Sequence, residues 1–220
     1  MAYKEALSNS QGEHICLICG NEPADQVRAL TTFIKEGLAG DEQCIYISDD
    51  KAIDGIRHLL KAEGVDVGSE RERASLLLGT RKEWRRGNPE TGDGTDQILK
   101  IIDAALNAGF KGVRFCIEIA SAIEPDVSLQ RLRQWETAID SMVAHRPIKM
   151  VCQYNRDHFS PAVIKEALTR HPSALLDHRA YPNFFYESPA AIKTHWRFPH
   201  ICPRPTGITR LTASRYVCCC

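Results

Sequence analysis

Short apolar segments alternate with helical patterns along most of this chain, and this alternation constrains the fold more than any other feature. The apolar segments predict strands at residues 14–19, 43–48, 75–79, 112–120 and 149–154. Apolar residues at helical spacing predict helices over about 24–38, from Asp49 or Asp50 to Gly64, and over about 95–108, 126–145 and 160–170. Residues 174–178 and 181–186 are expected to add one or two edge strands. Strands joined through helices form right-handed crossovers, so we predict a three-layer α/β/α domain with a mainly parallel sheet.

The first strand, the loop after it and the next helix, residues 12–39, resemble the unit that opens nucleotide-binding α/β domains. In those domains the loop reads GxxxxGK[ST] and cradles phosphates. Here Gly20 is followed by NEPADQ, without the second glycine, the lysine or the Ser/Thr. The two carboxylates of this loop repel phosphate, and Pro23 lacks a backbone N–H donor. The sequence therefore predicts a degenerate phosphate loop.

Polar residues follow several predicted strands, at the edge where open parallel sheets bind ligands. We expect the crevice there to offer a small polar ligand the donors and acceptors of Gly20, Asn21, Asp49, Thr80, Glu118, Ser121, Gln153, Tyr154 and Arg156. An ion pair with Arg114 or Arg156 is an alternative role for Glu118. The polar segment 80–94 is long enough to form a flap over this site. Its Trp84 either covers a ligand or docks on the body of the domain.

The sequence contains no recognised catalytic signature. GxSxG, HExxH and a glycine-rich dinucleotide turn are absent, and a general base is the least favoured role for Glu118, so no enzymatic activity is expected. His14 begins the first strand and is expected to be a capping or hydrogen-bonded core histidine. His171 ends a helix, where a cation is favourable. Trp135 belongs to an apolar helix stripe, and Glu136 is expected to be a charge at its rim.

Composition indicates a protein that contacts neither nucleic acid nor membrane. The 220 residues include 28 basic and 28 acidic side chains. No apolar run approaches the roughly 20 residues of a membrane-spanning helix, and no signal-peptide core is visible, so a cytoplasmic location is expected. Cys16 and Cys19 form a CxxC within a strand, where their side chains point to opposite faces. Cys44, Cys116 and Cys152 are interpreted as small buried hydrophobes. Neither a metal nor a cofactor is expected.

Several stretches resemble one known family. They are HICLICGNEPADQVRALTTFIKEGLAGDEQCIYISDD, FCIEIASAI, LRQWETAI and especially MVCQYNRDHFSPAVIKEALTRHPSAL. These stretches are similar to the MEDS sensory domain of methanogens, methylotrophs and the regulator DcmR, over roughly residues 12–187. The resemblance implies a divergent RecA/KaiC-like fold that has lost nucleotide hydrolysis. It also implies a sensor in prokaryotic signalling, proposed to recognise small hydrocarbon derivatives.

The resemblance further implies site residues and partners. The positions inside the matched stretches are His14, Glu118, Glu136, Gln153, Tyr154 and His171. Ile117 stands where the family usually carries a small polar residue, and it is expected to make the pocket wall more apolar. A kinase core or a convincing helix-turn-helix is not recognisable in this chain. The expected partner is therefore a signalling protein such as a histidine kinase or transcription regulator, or a second copy in a homodimer.

The chain is predicted to divide into a MEDS-like sensory domain, residues 12–190, and a basic tail with prolines and cysteines, residues 191–220. The tail is expected to be poorly packed. The alternatives are a weak contact with an anionic surface, or a zinc site formed by His195, His200 and Cys202 with a terminal cysteine.

The preferred functional hypothesis is a non-catalytic sensor that binds a small molecule and regulates a signalling or transcription partner. The competing hypothesis is a RecA/KaiC-like ATP-binding protein or ATPase. In it, Lys35, Lys51 or an arginine from a neighbouring subunit replaces the missing loop lysine, and Glu118 positions water or magnesium. A scaffold that binds only other signalling proteins is a third hypothesis.

Overall fold

The computed structural model describes residues 12–20, 23–80, 82–84, 95–122, 128–144, 146–176 and 179–187. The chain divides into two units, Met1–Ser188 and Pro189–Cys220, and every described residue lies in the first. Asn21, most of the predicted flap, and the tail with its candidate zinc ligands lie outside the described residues. The predictions for these segments, including the domain boundary at residue 190, stay predictions.

A seven-stranded sheet forms the centre of the described part of the chain. In chain order the elements are β1 (Glu13–Cys19), α1 (Pro23–Ala39), β2 (Glu42–Ser48), α2 (Asp50–Ala62), α3 (Val67–Glu72), β3 (Leu76–Thr80), α4 (Thr95–Asn107), β4 (Gly112–Glu118), α5 (Ile119–Ala122), α6 (Leu129–Val143), β5 (Ile148–Asn155), α7 (Pro161–Arg170), β6 (Ser173–Leu176) and β7 (Arg179–Pro182). The strand order is β3-β2-β4-β5-β1-β6-β7. Strands β1 to β6 are parallel, and β7 pairs antiparallel with β6. The predicted mainly parallel α/β fold is confirmed.

Helices cover both faces of the sheet, as expected when crossovers join parallel strands. We call the face that packs on α1 and α2 the α1 face; its core includes Leu30 and Ile56. The opposite α6 face packs on α4, α6 and α7, and its core includes Phe115 and Ile139. Consecutive strand residues alternate between the two faces, so adjacent residues occupy separate environments. In the described ranges, no helix is long and apolar enough to cross a membrane.

The connections that follow the neighbouring strands β1 and β5 lead to opposite edges of the sheet. The crossover from β1 through α1 leads to β2 on one side, whereas the crossover from β5 through α7 leads to β6 on the other side. The carboxyl ends of β1 and β5 therefore meet at a switch point, where open α/β sheets bind ligands.

The structure differs from the prediction at the end of β4 and in one short helix. β4 ends at Glu118, and Ile119–Ala122 form a helical turn instead of the last part of the strand. A short apolar run fits a buried helix as well as a strand, so periodicity alone does not separate them. The sequence analysis also missed α3, which Asp66 caps by accepting hydrogen bonds from first-turn N–H groups. This six-residue helix buries Val67 and has no room for an apolar stripe.

The edge beyond β6 is shorter than predicted. β7 ends at Pro182, whereas the aromatic pattern predicts a strand that reaches residue 186. The Asn183 carbonyl oxygen accepts a hydrogen bond from Tyr186 N at 3.1 Å. This turn replaces further strand pairing and leaves the side chains of Phe184 and Phe185 exposed.

Candidate functional site

Four buried side chains meet on the α6 face, and we call this group the His–Glu cluster. Its members are His14 on β1, Glu136 on α6, Cys152 on β5 and His171 directly after α7. One nitrogen, oxygen or sulfur atom from each lies within 4.8 Å of the others. His14 is 3% exposed and the other three are 0% exposed. Four separate elements therefore bring chemically reactive atoms together in the core.

Hydrogen bonds to Nδ1 orient both histidines of the cluster. His14 Nδ1 lies 2.7 Å from Asp140 Oδ1, and His171 Nδ1 lies 2.7 Å from the Ala167 carbonyl oxygen. Because these oxygens accept, each Nδ1 carries the proton and donates it. Burial lowers the pKa of His14 to about 3 and lowers the pKa of His171 well below its ordinary value. Both rings are therefore neutral, with an unprotonated Nε2.

Glu136 lies between the two rings with one oxygen satisfied. Its Oε1 accepts a hydrogen bond from the Tyr154 hydroxyl. Its Oε2 lies 3.3 Å from His14 Nε2 and 3.4 Å from His171 Nε2. Glu136 Oε2 and His171 Nε2 have no hydrogen-bond partner in the described part of the protein. Burial, reinforced by the Asp140 carboxyl group, raises the pKa of Glu136 well above its ordinary value.

Cys152 adds a thiol to the cluster. Its Sγ lies 3.3 Å from His14 Nε2, and burial, with smaller contributions from Glu136 and Cys16, raises the pKa of the thiol. Two imidazole nitrogens, one carboxyl oxygen and one sulfur are ligand types that zinc accepts. The cluster is therefore the group of described residues that could hold a metal ion.

Local signals fix the end of α7, which carries His171. Ser160 caps the first turn of the helix, and Pro161 occupies its first position. His171 adopts an extended conformation, with φ −107° and ψ 123°, because a residue before proline disfavours the helical region. Asn183 Nδ2 donates to the carbonyl oxygens of Leu168 and His171 at 2.5 and 2.8 Å. These contacts hold the imidazole in the core.

An ion-pair network outside the cluster joins α6 to α7. Arg133 forms a two-pronged contact with Glu166, with Nε–Oε1 and Nη2–Oε2 distances of 2.7 and 2.8 Å. Arg170 Nε also donates to Glu166 Oε1 at 3.0 Å. Paired guanidinium–carboxylate bonds fix orientation as well as distance. The network therefore holds the helix that carries Glu136 against the helix that precedes His171.

A second polar group, which we call the strand-end row, lies on the α1 face at the carboxyl edge of the sheet. Ser48 and Glu118 are the last residues of β2 and β4, and Gln153 lies two residues before the end of β5, in register with Glu118. Ser48 Oγ donates to Glu118 Oε2 at 3.1 Å. Gln153 is 1% exposed, and its Oε1 has no hydrogen-bond partner among residues that the structure describes. Glu118 is half-buried, so the row reaches the surface there.

Arg156 lies at the switch point, beside the first residue of the degenerate loop. A Cβ atom built on Gly20 would lie 3.2 Å from Arg156 Nη2 and 3.4 Å from Asp157 Oδ2. Arg156 N donates to the Cys19 carbonyl oxygen at 2.8 Å. A guanidinium group therefore stands next to Gly20.

Other residues predicted for the crevice have local partners. Asp49 Oδ1 accepts a hydrogen bond from a first-turn N–H of α2 at 2.8 Å, and both N and Oγ1 of Thr80 donate to Glu83 Oε2. Trp84 docks on the domain: it is 8% exposed and meets the Phe115 ring edge-on, with 5.6 Å between centroids. Trp84 also lines a cavity of about 340 Å³ beside β3.

The residues predicted for one crevice occupy two faces of the sheet. Gln153 and Tyr154 are neighbours on β5, so they point in opposite directions. The predicted residues in the His–Glu cluster are His14, Glu136 and His171, and Tyr154 contacts the cluster through its hydrogen bond to Glu136. Those in the strand-end row are Glu118 and Gln153.

Four interpretations from the sequence are wrong. Glu136 is not a rim charge, because α6 turns it into the core. His171 is not at an exposed helix end that suits a cation, because it is fully buried and burial lowers the pKa of its imidazole. Ile117 does not line the wall beside Glu118, because it is buried on the α6 face, whereas Glu118 follows it onto the other face. Arg114 does not pair with Glu118 but with two acidic residues of α1 and β2.

Sequence reasoning missed three participants in these groups, Asp140, Cys152 and Ser48. Asp140 follows Glu136 by four residues, a spacing that puts two acids on the same side of a helix. That side of α6 also contains the buried Leu132. A pair of acids next to an apolar stripe is therefore the signal that could have found Asp140.

Comparisons with known proteins agree with this architecture. The family described as MEDS, MEthanogen/methylotroph, DcmR Sensory domain, matches residues 13–172. No curated protein matches the chain. The solved structure of the flagellar accessory protein FlaH from Methanocaldococcus jannaschii is similar with 13% identity and a TM-score of 0.53, over 74% of this chain and 70% of that one. This likeness concerns the fold, which is RecA/KaiC-like. Because the match spans most of the chain and both polar groups, this protein belongs to the MEDS sensory-domain family.

Proposed function

We propose that this chain is a non-catalytic sensor domain that binds a small molecule at the strand-end row and regulates a signalling or transcription partner. The observation that carries the proposal is the buried Gln153 Oε1, which lacks a hydrogen-bond partner in the described residues and lies in register with Glu118. A buried acceptor left unpaired costs roughly 1–3 kcal/mol, which a ligand N–H or O–H would offset. Membership of a sensory family supports the same role.

The row favours a ligand that donates hydrogen bonds. An alcohol or amine offers a donor to Gln153 Oε1 and Glu118, whereas a carboxylate or phosphate would meet the negative charge of Glu118. Leu17, in register with Gln153, and Tyr46 on the same face offer apolar surface to a short alkyl group. A short-chain alcohol or amine, which is a simple hydrocarbon derivative, therefore suits this row.

A nucleoside triphosphate suits the same edge less well. The sequence 20–26 after β1 has two acids and no lysine. Lys35, a candidate replacement, lies 2.6 Å from Glu63 Oε2. Arg156 beside Gly20 is a feature that favours phosphate. ATP is therefore included as a test ligand.

Thermal unfolding of the full chain with a ligand panel tests the proposal. Short-chain alcohols and amines are compared with the corresponding carboxylates and with ATP and magnesium. A ligand at 100 times its Kd stabilises a protein by about 2.7 kcal/mol, which corresponds to roughly 5–11 °C in Tm for a chain of this size. We expect such a shift with an alcohol or amine, and no ATP turnover.

Two glutamine variants provide the matched control. Gln153→Leu removes the unpaired acceptor and should abolish the shift. Gln43→Leu changes another buried amide, whose Nε2 donates to the Ala74 carbonyl oxygen, and should keep the shift. Absence of a shift with every donor ligand, or an equal shift in Gln153→Leu, contradicts the proposal. A magnesium-dependent ATP shift that disappears in Glu118→Gln supports the ATP-binding hypothesis instead.

A further inference from the structure

We propose that the His–Glu cluster is a zinc site, in which one ion is held by His14 Nε2, Glu136 Oε2, Cys152 Sγ and His171 Nε2. No metal is expected from the sequence, and a zinc ion in the core revises that expectation. It also goes beyond the proposed sensor function, because these four ligands lie on the α6 face and the strand-end row lies on the α1 face.

The distances among the four atoms suit one tetrahedral ion. Zinc binds nitrogen and oxygen at about 2.0–2.2 Å and sulfur at about 2.3 Å, so the edges of its tetrahedron are roughly 3.3–3.7 Å. Glu136 Oε2 lies 3.3 and 3.4 Å from the two Nε2 atoms, and Cys152 Sγ lies 3.3 Å from His14 Nε2. One ligand atom from each of the four residues lies within 4.8 Å of the other three. The two nitrogen–oxygen distances exceed the usual hydrogen-bond range but match edges of this tetrahedron.

The hydrogen bonds around the cluster direct lone pairs towards its centre. Asp140 and the Ala167 carbonyl group accept the Nδ1 protons of the two histidines, which leaves an unprotonated Nε2 on each ring. Tyr154 donates to Glu136 Oε1 and leaves Oε2 for another partner. Metal-binding histidines and carboxylates depend on such outer hydrogen bonds for their orientation. The protein itself therefore provides the outer hydrogen bonds that orient three of the four ligand side chains.

Charge and ligand type also favour zinc. The Glu136 carboxylate and the Cys152 thiolate bring two negative charges, which balance a divalent ion when both imidazoles are neutral. A neutral assembly avoids most of the cost of burying separate charges. Sulfur and imidazole ligands suit zinc, whereas magnesium and calcium prefer oxygen. With four protein ligands the site is closed, as structural zinc sites are.

The competing arrangement contains no metal. In it, a protonated Glu136 donates to one histidine, and the Cys152 thiol donates to His14 Nε2. Such a network shares protons among neutral groups and gives no zinc stoichiometry and no metal spectrum. Metal analysis therefore separates the two arrangements.

Reconstitution of the full chain tests the site. The purified protein is stripped with a chelator, reloaded with Zn²⁺ or Co²⁺ and separated from free metal. We expect one tightly bound zinc per chain at this site. The cobalt form should show the intense visible bands of a tetrahedral ion and a thiolate-to-cobalt charge-transfer band in the near ultraviolet. If the wild-type chain shows neither bound zinc nor these bands, the proposal is overturned without any variant.

Conservative variants locate the ion. Cys152→Ser should remove the charge-transfer band, and His171→Gln should lower the zinc content by one per chain. Cys116→Ser, at a buried cysteine of β4, and His158→Gln, at an exposed histidine before α7, are the matched controls and should change neither. Cys202→Ser tests the tail. A charge-transfer band that persists in Cys152→Ser, or one that disappears in Cys202→Ser, overturns the proposal. The ligand shifts of the strand-end row are measured independently.

Discussion

The two faces of the sheet each bury an ionisable residue, Arg114 on the α1 face and Glu136 on the α6 face, with different surroundings. Arg114 is 7% exposed. Its Nε lies 2.5 Å from Glu42 Oε2, and its Nη1 lies 2.7 Å from the Phe33 carbonyl oxygen and 3.3 Å from Glu36 Oε2. Its guanidinium group also lies 4.7 Å from the centre of the Phe33 ring. The chain itself provides the opposite charges that this buried cation needs.

Glu136 has no such counter-charge within its cluster. It contacts a tyrosine hydroxyl and two neutral imidazoles, and its Oε2 has no hydrogen-bond partner within the described ranges. Desolvating a charge is costly unless the fold pairs it, as it pairs Arg114. The comparison indicates that Arg114 is a structural charge. Glu136, with three further ligand atoms close by, has the surroundings of a binding site.

The largest effect is expected from removing the satisfied charge. Arg114→Ala takes the main counter-charge from Glu42, although Lys149 remains 3.5 Å away. Breaking a buried pair costs about 3–5 kcal/mol, and we expect about 3 kcal/mol because this second cation remains. Urea denaturation measures the loss in the free energy of unfolding. Zinc content should not change, because Arg114 lies on the other face.

An exposed ion pair provides the control for Arg114. Lys111 Nζ lies 3.5 Å from Asp41 Oδ2, and both side chains are largely exposed. Lys111→Ala should change the free energy of unfolding by less than about 0.5 kcal/mol, as surface substitutions usually do. Equal effects at the two positions would break the comparison, because Arg114 would then contribute no more than a surface charge.

Much of the fold could be predicted because its signals are local. Apolar runs and helical spacing predict which strands and long helices follow one another along the chain. The caps at Asp49 and Ser160 mark two helix starts. The position of β5 between β4 and β1 could not be predicted in this way. Strand order depends on packing between distant segments, which short-range periodicity does not encode.

The candidate site could be predicted only as a list of residues. Gln153 and Tyr154 are adjacent in sequence, and their separation follows from the alternation of strand side chains. From the sequence, Glu136 is expected at the surface, because glutamate is rarely buried without a partner. Its burial results from the packing of α6 on β1 and β5, which the sequence pattern does not specify. In the sequence, Cys152 has the pattern of an ordinary core residue. Only the folded structure shows that its sulfur contacts His14.

A buried tyrosine on each face allows a sharper test of the comparison. Tyr154→Phe removes the donor to Glu136 Oε1, whereas Tyr46→Phe removes a hydroxyl that is hydrogen-bonded to Ser48. Each variant should lower the free energy of unfolding by about 1–2 kcal/mol in the metal-free protein. Only Tyr154→Phe should weaken zinc binding, by about 10–100-fold, as measured by competition with a chelator. Equal zinc affinity in the two variants would count against Glu136 as a ligand.

The smallest effect on stability is expected at Gln153, whose unpaired oxygen resembles that of Glu136 rather than the paired groups of Arg114. Without ligand, Gln153→Leu should leave the free energy of unfolding unchanged or raise it by up to about 1 kcal/mol, because it removes a buried acceptor that has no hydrogen-bond partner among the residues the structure describes. Gln43→Leu should instead lower it by about 1–3 kcal/mol, because the Ala74 carbonyl oxygen loses its donor. Urea denaturation of the two ligand-free variants measures this difference. A loss at Gln153 as large as that at Gln43 would mean that the protein itself satisfies the Gln153 amide. A higher free energy of unfolding in Gln153→Leu would mean that Gln153 lowers the stability of the ligand-free protein. This is expected of a residue whose role is to bind a ligand.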